Sequence, residues 1–280
     1  MRTVSRQGPS HEGEAVELLV TVKAYPGLST KYGEVVCVAG VRTDLAAPAF
    51  IRLFPVAFRD LPSTTRFAEY ANLGLRVRKT TSDSRPESYS PYLDTVVVGA
   101  TINTGPKSTW GHRWKVLGPL AGAHTMCGLQ QEQARSGASL GLIRVREVLD
   151  LEIGPNEEFD ARRLAIAEMS AQASLFDVRA RPVLEPAPYK MKYRYRCEEP
   201  GCRTHSQTFI DWEAAEAARS WRPRYAAPGE LERKLREKFL TQMCADGRDT
   251  HFFVGNQHLA PKAFLVLGVF WPPTGTRPGT

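Results

Sequence analysis

The stretch AVELLVTVKAYPGLSTKYGEVVCVAGVR, residues 15–42, decides the fold class. Two β-rich runs, Ala15–Tyr25 and Tyr32–Arg42, flank the turn signal Pro26-Gly27, the pattern of two strands brought back on each other. Working outward, Ala49–Pro55 (AFIRLFP) alternates Ile51, Leu53 and Pro55 with Phe50, Arg52 and Phe54, as a half-buried strand does. Leu73–Lys79 sets Leu73, Leu75 and Val77 against Arg76 and Arg78, and Tyr92–Ala100 is a further apolar β segment. Asp60–Tyr70 has room for only a helical turn. Five short strands joined by turns predict a small OB-like β-barrel or curled sheet.

The remainder mixes helix and strand. Trp110 and Trp114 stand at helical spacing, but Gly111 and Gly118-Pro119 weaken a helix there. Met126–Arg135 predicts a helix, Ser139–Ile153 a strand, and Asn156–Gln172 a helix whose acidic start (Glu157, Glu158, Asp160) suits its dipole. The proline-rich tract Arg181–Pro188 reads as an extended connector and sets the domain boundary. Beyond it, Tyr189–Cys197 (YKMKYRYRC) places Tyr189, Met191, Tyr193 and Tyr195 on one strand face and Lys190, Lys192, Arg194 and Arg196 on the other. Glu213–Ser220 and Gly229–Met243 predict helices, the latter with Leu231, Leu235, Phe239 and Leu240 on one side. Strands at Thr250–Gly255 and Ala263–Trp271 end the chain. The expectation is an α+β protein: a disordered leader 1–14, a β-rich OB-like domain with a helical extension 15–180, a zinc-braced α+β domain 181–273 and a tail 274–280. No internal repeat at a fixed period is visible.

Lys+Arg 37 against Asp+Glu 30 in 280 residues leaves a net charge of +7, which admits polyanionic partners without requiring them. The longest apolar stretch, Ala263–Trp271, is too short to span a bilayer. The N-terminus lacks a secretory pattern, so the expected location is cytoplasmic, where close-spaced cysteines serve as metal ligands or small hydrophobes rather than disulfides. No GxxxxGK[ST], strand-borne GxGxxG, HExxH or GxSxG is present, which disfavours nucleotide hydrolysis, dinucleotide redox chemistry and the common hydrolase classes.

Cys197-x4-Cys202-x2-His205 (CEEPGCRTH) is the most specific local motif. Two thiolates and an imidazole folded back by a Pro-Gly turn can face one ion tetrahedrally. A fourth ligand is available at Cys244, His251, His258 or Asp211. Cys244 is favoured because it follows a helix able to pack back onto the knuckle. Thiolate-rich sites make zinc a poor Lewis acid, so the expected role is structural Zn2+.

The basic ladder Lys190, Lys192, Arg194 and Arg196 has two readings. It is either a phosphate-tracking surface or a sheet-edge strand whose cations block aggregation. In the first half, Arg52 and Arg76 with Phe54 as a stacking platform form a second candidate surface, joined by Arg78 and Lys79. Arg85 and Glu87 in SRPES (84–88) read as a tether within a turn. Cys127, with His124 nearby, is a thin case for a nucleophile.

The segments LLVTVKAY, EVVCVAGV and FIRLFP, with Cys37, Val38, Ala39, Gly40, Ile51 and Arg52, resemble the opening of dual-OB bacterial proteins. That resemblance covers at most residues 1–100, and implies an oligonucleotide-binding barrel in a mobile-element or defence setting with no catalytic residues. The leading expectation is an accessory nucleic-acid-binding protein whose partner is single-stranded RNA or DNA. Two alternatives are kept. One is a metal-dependent nuclease or nucleotide-modifying enzyme using Asp211, Glu213, Asp249 and His251. The other is a scaffold whose basic surface meets an acidic protein.

Overall fold

Period-two alternation builds the first barrel from β1 (Glu14–Lys23), β3 (Gly33–Arg42), β4 (Ala49–Val56), β5 (Ala71–Lys79) and β6 (Ser88–Thr101), with the short β2 (Gly27–Ser29) laid on β3. The computed structural model describes residues 12–25, 27–29, 33–105, 110–159, 161, 164, 165, 168 and 185–278. The expected leader up to residue 11, most of the expected helix Asn156–Gln172 and the first half of the proline-rich connector lie outside them. Neighbouring strands run β1-β5-β6-β4-β3, and an antiparallel β1–β3 pairing closes the circuit. The β4–β6 pair is parallel. Inward-facing Val16, Leu18, Val20, Val36, Val38, Ile51, Leu53, Leu73, Leu75 and Val77 fill the interior. A 3-10 turn, Phe58–Asp60, stands just ahead of Asp60–Tyr70, where a helical turn around Phe67 and Tyr70 was expected; residues 61–70 are turns and irregular backbone instead.

The second barrel is a closed circuit β10-β11-β9-β8-β7, formed by β7 (Leu140–Pro155), β8 (Tyr189–Cys197), β9 (His205–Phe209), β10 (His251–Gln257) and β11 (Ala260–Phe270). Numbering the five long strands of each barrel in chain order, both circuits read 1-2-3-5-4-1, with the third and fifth strands parallel. The same OB-like topology therefore occurs twice, though no sequence repeat announces it. The helices α1 (Gly111–Leu117), α2 (Met126–Ser136), α3 (Trp212–Ser220) and α4 (Glu230–Arg236) decorate the barrels.

The domain boundary is corrected by pairing. β7 bonds to β8 and to β10, so it is the first strand of the second barrel, and α2 buries Met126 and Leu129 in that barrel's core. β7 and β8, which flank the proline-rich tract in the chain, are thus strands of one barrel and not of two domains. The expected helix Gly229–Met243 is also modified, since α4 passes into a π-helical turn at Glu237–Gln242. The buried Tyr193 hydroxyl donates to the Phe239 carbonyl at 2.6 Å within that turn. Tyr193, Tyr195 and Met191 are buried as alternation predicts, beside Phe209 and Phe252.

The two barrels share a core. Leu19, Val22, Ala39 and Val41 on the outside of the first pack on Trp114 and Leu117 of α1 and on Leu140, Leu142, Phe253 and Leu267 of the second. Backbone bonding crosses the seam, with the Tyr25 N–H donating to the Ile210 carbonyl at 2.9 Å. Arg85 and Glu87 reach across it too. The Arg85 guanidinium donates to the Asn256 carbonyl at 2.7 Å, and the Glu87 carboxylate accepts from the Ser139 N–H and hydroxyl at 2.9 and 2.8 Å. The SRPES turn therefore ties barrel to barrel, not only to itself.

Candidate metal centre and basic face

The β8–β9 hairpin carries three cysteine and histidine side chains because its turn is tight. Tyr195 pairs with His205 across the ladder, Cys197 ends β8, and Gly201 adopts φ +76°, a conformation that side chains rarely take. The Cys202 N–H donates to the Glu199 carbonyl at 3.0 Å and turns its thiol back toward His205. A fourth group comes from outside the hairpin. Cys127 lies in the first turn of α2, whose N-cap Thr125 accepts from the Gly128 N–H at 2.9 Å and donates to the Glu199 carboxylate at 2.8 Å. That cap fastens the helix start to the hairpin turn.

The ligand atoms of Cys127, Cys197, Cys202 and His205 all lie within 4.8 Å of one another. Tetrahedral zinc, with bonds of about 2.3 Å to sulfur and about 2.0 Å to nitrogen, separates its ligands by about 3.8 Å for two sulfurs and about 3.5 Å for sulfur and nitrogen. The Cys127 and Cys197 sulfurs are 3.8 Å apart, and His205 Nε2 is 3.5 Å from the Cys127 sulfur and 3.3 Å from that of Cys202. The cluster is compatible with a zinc site. Its electrostatics agree with this. Burial opposes ionisation of Cys197, yet backbone N–H groups of Cys127 and Glu199 aimed at its sulfur hold the thiol below its ordinary value. Burial also lowers the pKa of His205, favouring the neutral imidazole a metal requires. Cys127 is pushed up to about 12 by burial and then by the neighbouring thiols, a crowding of sulfurs that a cation would relieve.

Cys244, the expected fourth ligand, is not in this cluster. Its sulfur lies 3.6 Å from the Phe239 carbonyl, and burial pushes its thiol up to about 12. The helix before it packs on the barrel core through Leu231, Leu235 and Phe239 rather than on the knuckle, which is why Cys127 takes its place. The sequence signal for Cys127 was faint: a threonine cap two residues ahead of it places its side chain at a helix start.

The basic ladder projects from the outer face of β8, with Ser206 and Thr208 of β9 in register beside Arg194 and Lys192. β8 is paired on both sides in a closed circuit, so the sheet-edge reading of its cations is corrected. Acidic residues lie alongside instead. Lys190 pairs with Glu158 at 3.1 Å, Arg196 with Glu147 at 2.7 Å, and Lys192 and Arg194 share Glu152 at 3.9 and 3.7 Å. All four pairs are substantially exposed, and such pairs are worth at most about 1 kcal/mol each.

The other candidate surface does not form as expected. Arg52 is 3% exposed beneath the second barrel, where one of its terminal nitrogens donates to the Ser139 carbonyl and hydroxyl, both at 3.1 Å. Phe54 remains 38% exposed. Arg76 donates to the Gly13 carbonyl and Lys79 to that of Pro86, with the Lys79 ammonium 4.4 Å from the Tyr89 ring centroid; Arg78 is exposed. Arg52 and Arg76 therefore do not share an open platform, because the second barrel covers the first of them.

The acidic residues of the enzyme alternative separate into two groups. Asp211 caps α3, accepting from the Ala214 N–H at 2.8 Å, and lies with Glu213 in a cleft that also holds Glu69. Lys23 acts on this acidic set electrostatically. Burial, then the Glu213 charge, raises the Asp211 carboxyl to about 7. His251 is fully buried against the Trp114 ring at 5.5 Å, and Asp249 pairs with Arg144 at 3.0 Å.

Fold and site define a tandem barrel protein whose second barrel carries a Cys3His cluster at its strand 2–3 turn. The chain belongs to the family described as Domain of unknown function (DUF8757), whose model matches residues 122–279, and residues 14–119 match a second, Domain of unknown function (DUF8758). The two matches part between the barrels, ahead of α2. No curated protein sequence matches the chain. Among solved structures the chain is similar to a murine DNA-binding protein bound with double-stranded DNA, at 7% identity and TM-score 0.30, covering 92% of this chain and 94% of that one. It is likewise similar to the Ifi202 HINa domain in complex with 20-bp double-stranded DNA, at 7% identity and TM-score 0.30, covering 71% and 75%. Among the described residues no helix is long and apolar enough to cross a membrane.

Proposed function

We propose that this chain is a nucleic-acid-binding protein that contacts phosphates through the outer face of β8 and β9, with a structural zinc ion bracing the hairpin that carries them. The observation that carries the proposal is placement. In OB-folds the face of strands 2 and 3 holds oligonucleotides, and in the second barrel that face bears Lys190, Lys192, Arg194 and Arg196 with Ser206 and Thr208 between them. Alternate residues of a strand stand about 6.6 Å apart, so the four cations form a linear ladder. Cys197 and His205 end and begin these two strands, so an ion there would fix the hairpin's outer surface. The resemblance of the N-terminal part, at most residues 1–100, to dual-OB bacterial proteins, and the mobile-element or defence setting it implies, belong to the same proposal.

The face carries no aromatic side chain at the ladder positions, since Tyr193 and Tyr195 point inward. Phosphate tracking without base stacking makes binding salt-steep and tolerant of sequence. Four contacts to a single strand give a slope of log K against log salt near −3, from about −0.7 per phosphate. Binding of fluorescent single-stranded and double-stranded RNA and DNA at two salt concentrations tests this. Alanine at all four ladder positions should abolish retention. Glu147→Gln with Glu152→Gln should tighten it, because those carboxylates compete with phosphate for the same cations. Retention of no nucleic acid at low salt, or an unchanged affinity in the quadruple variant, would sink the proposal.

A further inference from the structure

The seam between the barrels contains a cleft of about 530 Å³, within the usual range for small-molecule sites. Its floor is the outer face of β3 and β4, the same strand 2–3 face that stays open in the second barrel. The loop joining β5 and β6 forms one wall, and β11 of the second barrel supplies Leu265 and Leu267 opposite. An extended face has thereby become an enclosed one.

Arg52 lies in this cleft with no direct carboxylate partner; the Ser139 hydroxyl stands between its guanidinium and the Glu87 carboxylate. It is 3% exposed, and among the described residues no carboxylate stands within direct ion-pair reach of its guanidinium. One terminal nitrogen bonds to Ser139, the other faces the Cys37 sulfur at 3.7 Å, and its Nε has no hydrogen-bond partner among the described residues. A buried charge without a direct counter-ion is costly, and native folds ordinarily pair it. The cleft's remaining charges satisfy each other. Asp83 is bound by Arg85 at 2.7 Å and lies 3.3 Å from His258, while Arg85 spends its other arm on the Asn256 carbonyl. Gly255 leaves room for the guanidinium, since a Cβ there would stand 3.3 Å from the Arg52 terminal nitrogen and 2.8 Å from Leu267. Apolar groups supply much of the remaining lining, among them Val22, Ala39, Ile210 and the half-exposed Phe54 ring, with Ser82, Ser90 and Gln257 adding neutral polar groups.

We propose that this cleft binds a small organic anion, an aromatic ring bearing one carboxylate or phosphate, with Arg52 holding the charge and Phe54 and the leucines of β11 holding the ring. A polynucleotide does not suit it, because the second barrel closes the face along which a strand would run. The proposal stands apart from the basic face of β8, and either can fail alone.

The test uses the full chain and paired probes: indole-3-acetate against indole-3-acetamide, and adenosine 5′-monophosphate against adenosine. Calorimetric titration should show at least one anion binding about tenfold or more tighter than its neutral counterpart, and the preferred pair tells carboxylate from phosphate. The same anion should slow alkylation of Cys37 by iodoacetamide, read by peptide mass spectrometry with Cys244 as internal reference. Arg52→Gln, confirmed folded by circular dichroism, should bind acid and neutral probe equally. Phe54→Ala, at a half-exposed position, should weaken both members of the pair. The proposal is overturned if neither anion binds up to about 10 mM, if anion and neutral probe bind the wild type equally, or if binding leaves Cys37 alkylation unchanged. The wild-type comparisons decide the matter even where Arg52→Gln does not fold.

Discussion

Replacing Cys127 by serine removes the only sulfur of the cluster that comes from outside the β8–β9 hairpin. Its sulfur stands 3.8 Å from that of Cys197 and 3.5 Å from His205 Nε2, the edges of a zinc tetrahedron. Without it the ion keeps two thiolates and an imidazole, all from one turn, and no longer joins α2 to the barrel. At free zinc a thousandfold above Kd, a bound ion adds about 4 kcal/mol to a stability of about 5–15 kcal/mol. For a unit the size of the second barrel, each kcal/mol moves Tm by about 2–4 °C, so loss of the ion should lower its melting by about 8–16 °C. Elemental analysis of protein purified without chelator should give about one zinc per chain in the wild type and in Cys244→Ser, and well below that in Cys127→Ser. Calorimetric melting with and without chelator supplies the second readout. Full zinc in Cys127→Ser, with a Tm within about 2 °C of wild type, would refute the assignment of Cys127 and the bracing role together.

Three further outcomes follow from single groups. Asp211 is raised to about 7, so between its ordinary value near 4 and about 7 the folded chain holds a proton that the unfolded chain has released. Its contribution to stability is present below that window and lost as pH rises through it; Asp211→Asn should flatten the decline in urea midpoint, and an equally steep decline would remove Asp211 as its source. Tyr193→Phe leaves the buried Phe239 carbonyl with only the weak Cys244 thiol as a side-chain donor, a loss of about 1–3 kcal/mol measurable by urea titration. Gly40→Ala would force a Cβ to 2.6 Å from the Leu19 carbonyl oxygen and 2.7 Å from Leu18 Cδ1, so a destabilisation of about 1–3 kcal/mol or more should appear in thermal melts of the first barrel.

The strands of the first barrel were legible because their apolar, β-branched runs are bounded by turn residues, and in β4 and β5 apolar residues also alternate with polar ones. The YKMKYRYRC strand was legible through the same alternation, and its inward tyrosines and outward cations fall where the pattern puts them. Three of the four clustered ligand residues were also readable, because a tight turn places Cys197, Cys202 and His205 together locally. Cys127 was not, since 70 residues separate it from Cys197 and only the packing of α2 against the hairpin joins them. The glutamates along β7 were equally out of reach. Glu147 and Glu152 meet the basic ladder through cross-strand register between strands far apart in the chain.

By itself the sequence determined the β-rich character of both halves, the two faces of β8 and the hairpin part of the metal cluster. All of these depend on neighbours a few residues apart. Only the tertiary structure decided that the same circuit of strands is built twice, that the unit boundary falls ahead of α2 and that Cys127 completes the cluster. It also decided that one barrel covers Arg52 of the other. Those facts arise from contacts between segments far apart in the chain, where hydrophobic packing and strand pairing choose partners that no local pattern encodes.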